Sequence, residues 1–237
     1  MGLKASKKGS GSKSDLPQQE ALESGAYPAR VVRIVDLGVQ ERRAFQGQPK
    51  KPAPHILITY ELLDAYCLDD EGKELLESPR WITERFPVFS LDIDGAMSTK
   101  RMKALDPDNE LDGDFAELLG KALMLTIVNN AGTGQHKGKV FNNVGGVGLM
   151  RKRDEDKAAE LVNPTTLFDL DEPDMKVWDK LEGWLQKLIQ EGVDFEHTTL
   201  AGMLDSPEKE EAGEEDDDGD NPHPKKASAD EGDGDDW

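Results

Sequence analysis

Two segments of the chain carry an aromatic ring beside positively charged residues at alternate positions. Trp81 and Arg85 share parity in one β-prone run, and Lys137, Lys139 and Phe141 share parity in another. Alternate residues of a β-strand lie on one face of the sheet, so each run would present a ring next to cations. Such faces are typical of surfaces on which unpaired bases stack, at about 1–3 kcal/mol per base. We expect Trp81 and Phe141 to stack bases; the alternative is that either ring belongs to the core.

Other basic residues of the same region are candidates for contacts with phosphate groups, because Lys and Arg neutralise phosphates without reading the bases. Some of them must simply be solvated surface. The candidates are Arg30, Arg33, Arg42, Arg43, Lys50, Lys51, Lys100, Arg101, Lys103, Lys121 and residues 151–153.

Motifs of catalytic and metal sites are missing from the sequence. There is no glycine-rich phosphate loop, no G-x-S-x-G elbow and no H-E-x-x-H motif. Cys67 is the single cysteine, which excludes an internal disulfide and argues against a zinc cluster. Residues 108–119 resemble the start of a calcium loop, but Leu119 stands where a bidentate Glu is required. We expect no catalytic residues, no cofactor and no metal; a metal-dependent nuclease or recombinase acting on single strands is the alternative.

The acidic charge of the protein is concentrated beyond residue 153. The net charge is −20: residues 1–25 carry +1, residues 26–153 carry 0, residues 154–205 carry −10 and residues 206–237 carry −11. A neutral, arginine-bearing region is therefore followed by a separate acidic one. The last 32 residues hold no aliphatic side chain larger than alanine and end in Asp233, Asp235, Asp236 and Trp237. We expect a disordered tail whose terminal ring binds a partner protein.

The elements that would position these residues alternate β-prone runs with turn-rich breaks, as in a small barrel or sandwich. Five strands are predicted, the number in an oligonucleotide/oligosaccharide-binding (OB) barrel, at residues 27–37, 55–63, 80–86, 122–129 and 139–147. Short helices with Ser98 and Asp114 as N-caps are predicted at 98–105 and 114–119, between the third and fourth strands, where an OB barrel has a helix. Residues 46–52 and 132–138, rich in Pro and Gly, are predicted as hairpin loops. The parity of Tyr60 assigns it to the core.

The predicted protein is mainly β and has four parts. These are a disordered arm at 1–24, an OB-like domain at 25–153, a helical appendage at 154–205 and the disordered tail at 206–237. Residues 174–191 have apolar residues at helical spacing, which predicts one amphipathic helix that packs on the barrel or on a second copy in a homodimer. No apolar run is long enough to cross a bilayer and no secretory segment is recognisable, so we expect no membrane contact.

Short segments between residues 24 and 153 resemble phage single-stranded DNA-binding proteins. They are SGAYPAR at 24–30, DLG at 36–38, YEL at 60–62, PRWIT at 79–83, LGK at 119–121 and GKVFNNV at 138–144. The tail is similar to the acidic C-termini of bacterial and T7-type phage single-stranded DNA-binding proteins, which end in an aromatic residue. Trp237 stands where Phe is usual in that family.

The resemblance implies an OB fold and sequence-independent binding and protection of single-stranded DNA. It places this activity in phage replication, recombination or repair, in the cytoplasm of the infected bacterial host. It also implies that the tail recruits phage or host replication and recombination proteins through Asp233, Asp235, Asp236 and Trp237. The alternative is a phage interaction or scaffold protein whose acidic tail mimics DNA and whose β-domain binds none.

Overall fold

A sheet of five long antiparallel strands organises the part of the chain that this computed structural model describes, residues 19–156 and 158–205. The strands are β1 Gly25–Phe45, β2 Gln48–Leu68, β3 Glu74–Pro87, β4 Ala122–Ala131 and β5 Val140–Leu149. Their order is β3-β2-β1-β4-β5, and the short β6 Thr166–Phe168 pairs with β1 in parallel. The mainly β class is confirmed. The predictions for residues 1–18 and for the tail, with Asp233, Asp235, Asp236 and Trp237, lie outside the described residues.

The first core cluster packs one face of the sheet against the chain between β3 and β4. That connection contains α1 Met97–Leu105 and a 3-10 turn, Ala116–Leu118. Tyr60 and Leu62 of β2 alternate onto this face, are fully buried, and cluster with Met102 and Leu118. The prediction that Tyr60 belongs to the core is confirmed.

A second core cluster covers the opposite face of β1 and β2. Val35 and Leu57 pack there against Phe168, Leu185 and Ile189 from the C-terminal part of the chain. The sequence left open whether the apolar residues of 174–191 pack on the barrel or on a second copy. In the structure they pack on the sheet of the same chain. None of the described helices is long and apolar enough to span a bilayer.

The helix predicted at 174–191 is divided into α3 Met175–Trp178 and α4 Gly183–Gln190. Asp174 caps α3 by accepting a hydrogen bond from the Lys176 backbone N–H over 2.8 Å. Glu182 is extended, with φ −60° and ψ 138°, and a glycine at the next position disfavours a continuous helix. The prediction of one helix was therefore wrong, and of its apolar residues Leu185 and Ile189 are buried while Trp184 is 56% exposed. The remaining helices are α2 Lys152–Glu155 and α5 Thr199–Asp205, with 3-10 turns at Gly134–His136 and Phe195–His197.

The two predicted N-caps have different outcomes. The Ser98 hydroxyl, fully buried, accepts a hydrogen bond from the Phe89 backbone N–H over 3.1 Å, so it ties the chain after β3 to α1 and does not cap the helix. Asp114 accepts from the Ala116 backbone N–H over 2.8 Å, as an N-cap does, but the element that follows is only the 3-10 turn.

The β1–β2 hairpin is longer than predicted, and its turn is shorter. Gln46 and Gly47 form a two-residue turn with φ of 50° and 78°, which suits the twist of a hairpin. Pro49 and Pro52, expected in a loop, belong to β2. Residues 48–53 pair only with β1, so this two-stranded part tolerates proline, whose missing N–H no second neighbour requires.

Candidate nucleic-acid interface

The outer face of the edge strand β3 carries the first predicted ring and cation. Trp81 is 40% exposed and lies opposite Glu61 on β2. Its Nε1–H donates a hydrogen bond to Glu61 Oε2 over 3.0 Å, and the Arg33 guanidinium lies 5.5 Å from the ring centroid. Arg85, four residues along the same face, is also exposed. The indole is thus oriented by its neighbours and remains partly open to a stacking base.

A buried carboxylate holds the C-terminal chain against this face. Glu61 is fully buried, and its two oxygens accept hydrogen bonds from the Val162 backbone N–H over 2.6 Å and from Asn163 Nδ2 over 2.7 Å. Nearby, Arg33 forms a 2.8 Å ion pair with Glu182. The Arg33 guanidinium therefore supports Trp81 and anchors the chain before α4, and it is not free for phosphate.

Two further arginines predicted to contact phosphate also have internal partners. Arg101 is 5% exposed and donates to both oxygens of Glu84, over 2.8 and 2.9 Å, and to the Val144 carbonyl over 3.4 Å. The Tyr60 hydroxyl donates to Glu84 over 2.7 Å, and burial, followed by the charge of Glu84, raises the pKa of Tyr60 well above its ordinary value. Arg30 donates to the carbonyls of residues 120 and 159 over 2.9 Å each.

The strongest concentration of exposed cations lies on the β1–β2 hairpin. Lys50 and Lys51 are exposed, and Lys50 Nζ lies 4.8 Å from the ring centroid of Phe45, which is 59% exposed. Arg42, across from Lys50 in the ladder, places its guanidinium 4.8 Å from the ring centroid of Phe89. Each contact is within the range of a cation–π interaction. Sequence reasoning missed both rings, because Phe45 and Phe89 lie outside the strands predicted at 27–37 and 80–86.

An open pocket of about 520 Å³ lies between this hairpin and β3. The Arg85 guanidinium there donates to Gln40 Oε1 over 3.3 Å, and its partial loss of solvent contact lowers the pKa of Arg85 from its ordinary value. Gln40 in turn donates to the carbonyls of Leu37 and Leu188. Because Leu188 belongs to α4, this helix helps to orient Arg85 through Gln40. The lining residues are Glu41, Arg42, Arg43, Lys50, His55, Arg85 and Pro87.

The β4–β5 connection carries the second predicted ring. Phe141 is 43% exposed and meets His136 edge-on, with ring centroids 5.7 Å apart. The parity argument does not extend to Lys137, because this residue lies in the loop predicted at 132–138, follows the 3-10 turn and precedes Gly138 with φ 91°. Lys137 and Lys139 are nevertheless exposed beside Phe141, and an open hollow of about 770 Å³ is lined by Lys139, Phe141 and residues 19–21.

The remaining predicted cations lie on other elements. Lys100 is exposed on α1, and Lys121 is half-buried immediately before β4. Among the residues that the structure describes, no group of three or more His, Cys, Asp or Glu side chains is arranged to hold a metal ion.

No protein-family model matches the chain, and no curated protein is significantly similar to it. The geometry and charge of the site itself therefore have to carry any functional conclusion.

Proposed function

We propose that this protein binds single-stranded DNA without reading its sequence. The observation that carries the proposal is the row of exposed rings and cations along one surface: Trp81, then Arg85, and then the hairpin with Phe45 and Lys50. Exposed rings stack any base, and cations that track the backbone make binding tolerant of sequence and sensitive to salt.

The sheet is best understood as an OB-type barrel. Its strand order, with α1 between β3 and β4, is the order expected for a five-stranded Greek-key barrel of this type. Arg101 on α1 supports closure because it bonds both to Glu84 on the edge strand β3 and to the Val144 carbonyl on the other edge strand, β5. OB barrels bind oligonucleotides on the face of the second and third strands and on the loops after the first and fourth strands. Trp81 lies on the third strand, and Phe45 and Phe141 lie beside the loops after the first and fourth strands.

The acidic tail completes the proposal. Residues 206–237 carry −11 and end in Trp237, and by their resemblance to phage proteins they recruit phage or host replication and recombination enzymes in the infected bacterium. We further propose that the tail competes for the basic surface when DNA is absent and is released when DNA binds, because the two charges are opposite. If the β-domain does not bind DNA, the same acidic tail would fit the alternative of a phage interaction or scaffold protein.

A titration with fluorescent oligo-dT and with a duplex of the same length, each at two salt concentrations, tests the proposal. Binding that prefers the single strand and weakens with salt is expected. Equal affinity for both would contradict the proposal, and no binding at low salt would contradict it and favour the interaction or scaffold protein. Incubation of labelled oligo-dT with Mg²⁺ provides the check for a nuclease, and intact DNA is the expected result.

A further inference from the structure

The pocket between the hairpin and β3 has the charge and size of an anion site. Four of its seven lining residues are Lys or Arg, drawn from β1, β2 and β3, and Glu41 is the one acidic residue among them. Its volume of about 520 Å³ lies within the range of ligand pockets. A concave surface lined by one sign of charge attracts the opposite sign, so a phosphate group is the natural occupant.

A buried histidine lies in the wall of this pocket. His55 is 7% exposed, and its Nδ1 lies 2.9 Å from the carbonyl of Ala53. A carbonyl can only accept a hydrogen bond, so Nδ1 carries the proton and Nε2 is the ring atom left for a ligand. Burial lowers the pKa of His55; the hydrogen bond to Ala53 opposes this shift, and the charges of Arg85 and Arg42 add to it. The ring is therefore neutral near pH 7 in the free protein.

We propose that this pocket takes up a phosphate group and that doing so places a proton on Nε2 of His55, so that binding tightens in mildly acidic solution. The proposal rests on the proposed function for the source of the phosphate, the backbone of a single strand. Four cationic side chains line the pocket, and the protonated His55 ring adds a fifth positive charge at its wall. The charged groups around His55 are Glu41, Arg42 and Arg43 on β1, Lys50 on β2 and Arg85 on β3.

The direction of the pH dependence follows from the two states of the ring. Without a ligand, burial and the two arginines keep the pKa of His55 below its ordinary value. A phosphate beside Nε2 favours the imidazolium and raises the pKa. At pH values between the pKa of His55 in the free protein and its pKa in the phosphate complex, binding takes up a proton. The affinity for phosphate therefore rises as the pH falls through this range, by at most about tenfold per pH unit. Below the lower value the ring is already protonated and the gain levels off.

The first test follows the ring itself and needs no DNA. The pH titration of the His55 Cε1–H resonance is recorded by NMR in sodium sulfate and in sodium chloride of equal ionic strength. Sulfate has the tetrahedral oxygens of phosphate and keeps a constant charge over this range. The pKa of His55 should be higher in sulfate than in chloride. An unchanged pKa of His55 would overturn the proposal.

The second test uses oligo-dT with His55→Asn, whose amide can still donate to the Ala53 carbonyl but does not titrate. Between about pH 7.5 and about pH 5.5, affinity of the unchanged chain should rise by about tenfold more than that of the variant. His197→Asn should behave like the unchanged chain. If sulfate raises the pKa of His55 but oligo-dT does not bind, the anion pocket is supported and the proposed function fails. If oligo-dT binds with the same pH dependence in both chains, the pocket proposal fails and the proposed function survives.

Discussion

Replacing the four hairpin cations with glutamine should remove a large part of the salt dependence of DNA binding. The variant carries Arg42→Gln, Arg43→Gln, Lys50→Gln and Lys51→Gln, which removes four charges and leaves a shorter polar side chain at each position. Each phosphate neutralised on a single strand contributes about 0.7 to the slope of log affinity against log salt, so four contacts contribute about 3. A slope smaller by about 3 corresponds to about a 50-fold smaller loss of affinity over a fourfold rise in salt.

The assay is an oligo-dT titration by fluorescence anisotropy at several salt concentrations, with thermal unfolding as a check that the variant is folded. A matched control removes the same charge from exposed lysines outside the proposed interface: Lys73→Gln, Lys176→Gln, Lys180→Gln and Lys187→Gln. This control measures the general effect of making the protein more acidic. The reasoning is refuted if the slope of the hairpin variant changes by less than about 0.7, the contribution of one contact, or by no more than that of the control.

Three other outcomes are expected. Trp81→Leu should lower the affinity for oligo-dT by about 1–3 kcal/mol because it removes a stacking ring, whereas Trp81→Phe should retain most of it; equal losses in the same titration would contradict stacking. Arg101→Met should lower the free energy of unfolding in urea by about 3–5 kcal/mol, since it leaves Glu84 buried without its ion partner, and adding Glu84→Gln should recover part of that loss. Deleting residues 206–237 should strengthen DNA binding at low salt because it removes a competing charge of −11; unchanged or weaker binding would count against competition by the tail.

The strands were predictable because alternation is a local property. The parity of Tyr60 assigned it to the core, and the structure buries it fully. Proline and glycine marked the two hairpins, although the two-stranded end of the first hairpin holds Pro49 and Pro52 within β2. The same local reasoning misjudged Ser98, because its hydrogen-bond partner Phe89 lies outside the helix.

The roles of the cations depended on partners far away in the chain. Arg33 pairs with Glu182, 149 positions later, and Arg101 with Glu84 across a helix–sheet contact. A sequence records that a residue is basic but not whether a carboxylate lies within 3 Å of it, and that distance decides whether a phosphate can bind. For the same reason, sequence reasoning overlooked Phe45 and Phe89 as partners of Lys50 and Arg42.

By itself, the sequence determined the β class, the core face of the strands and the separation of acidic from neutral segments. These features follow from the spacing of apolar residues and from the composition and charge of each segment, which can be read from short stretches of sequence. Only the tertiary structure decided that the C-terminal helices cover the chain's own sheet and that the hairpin, Arg85 and His55 share one pocket. Such arrangements depend on strand register and on packing between distant parts of the chain, because a face of the sheet can bind a ligand only where no other element covers it.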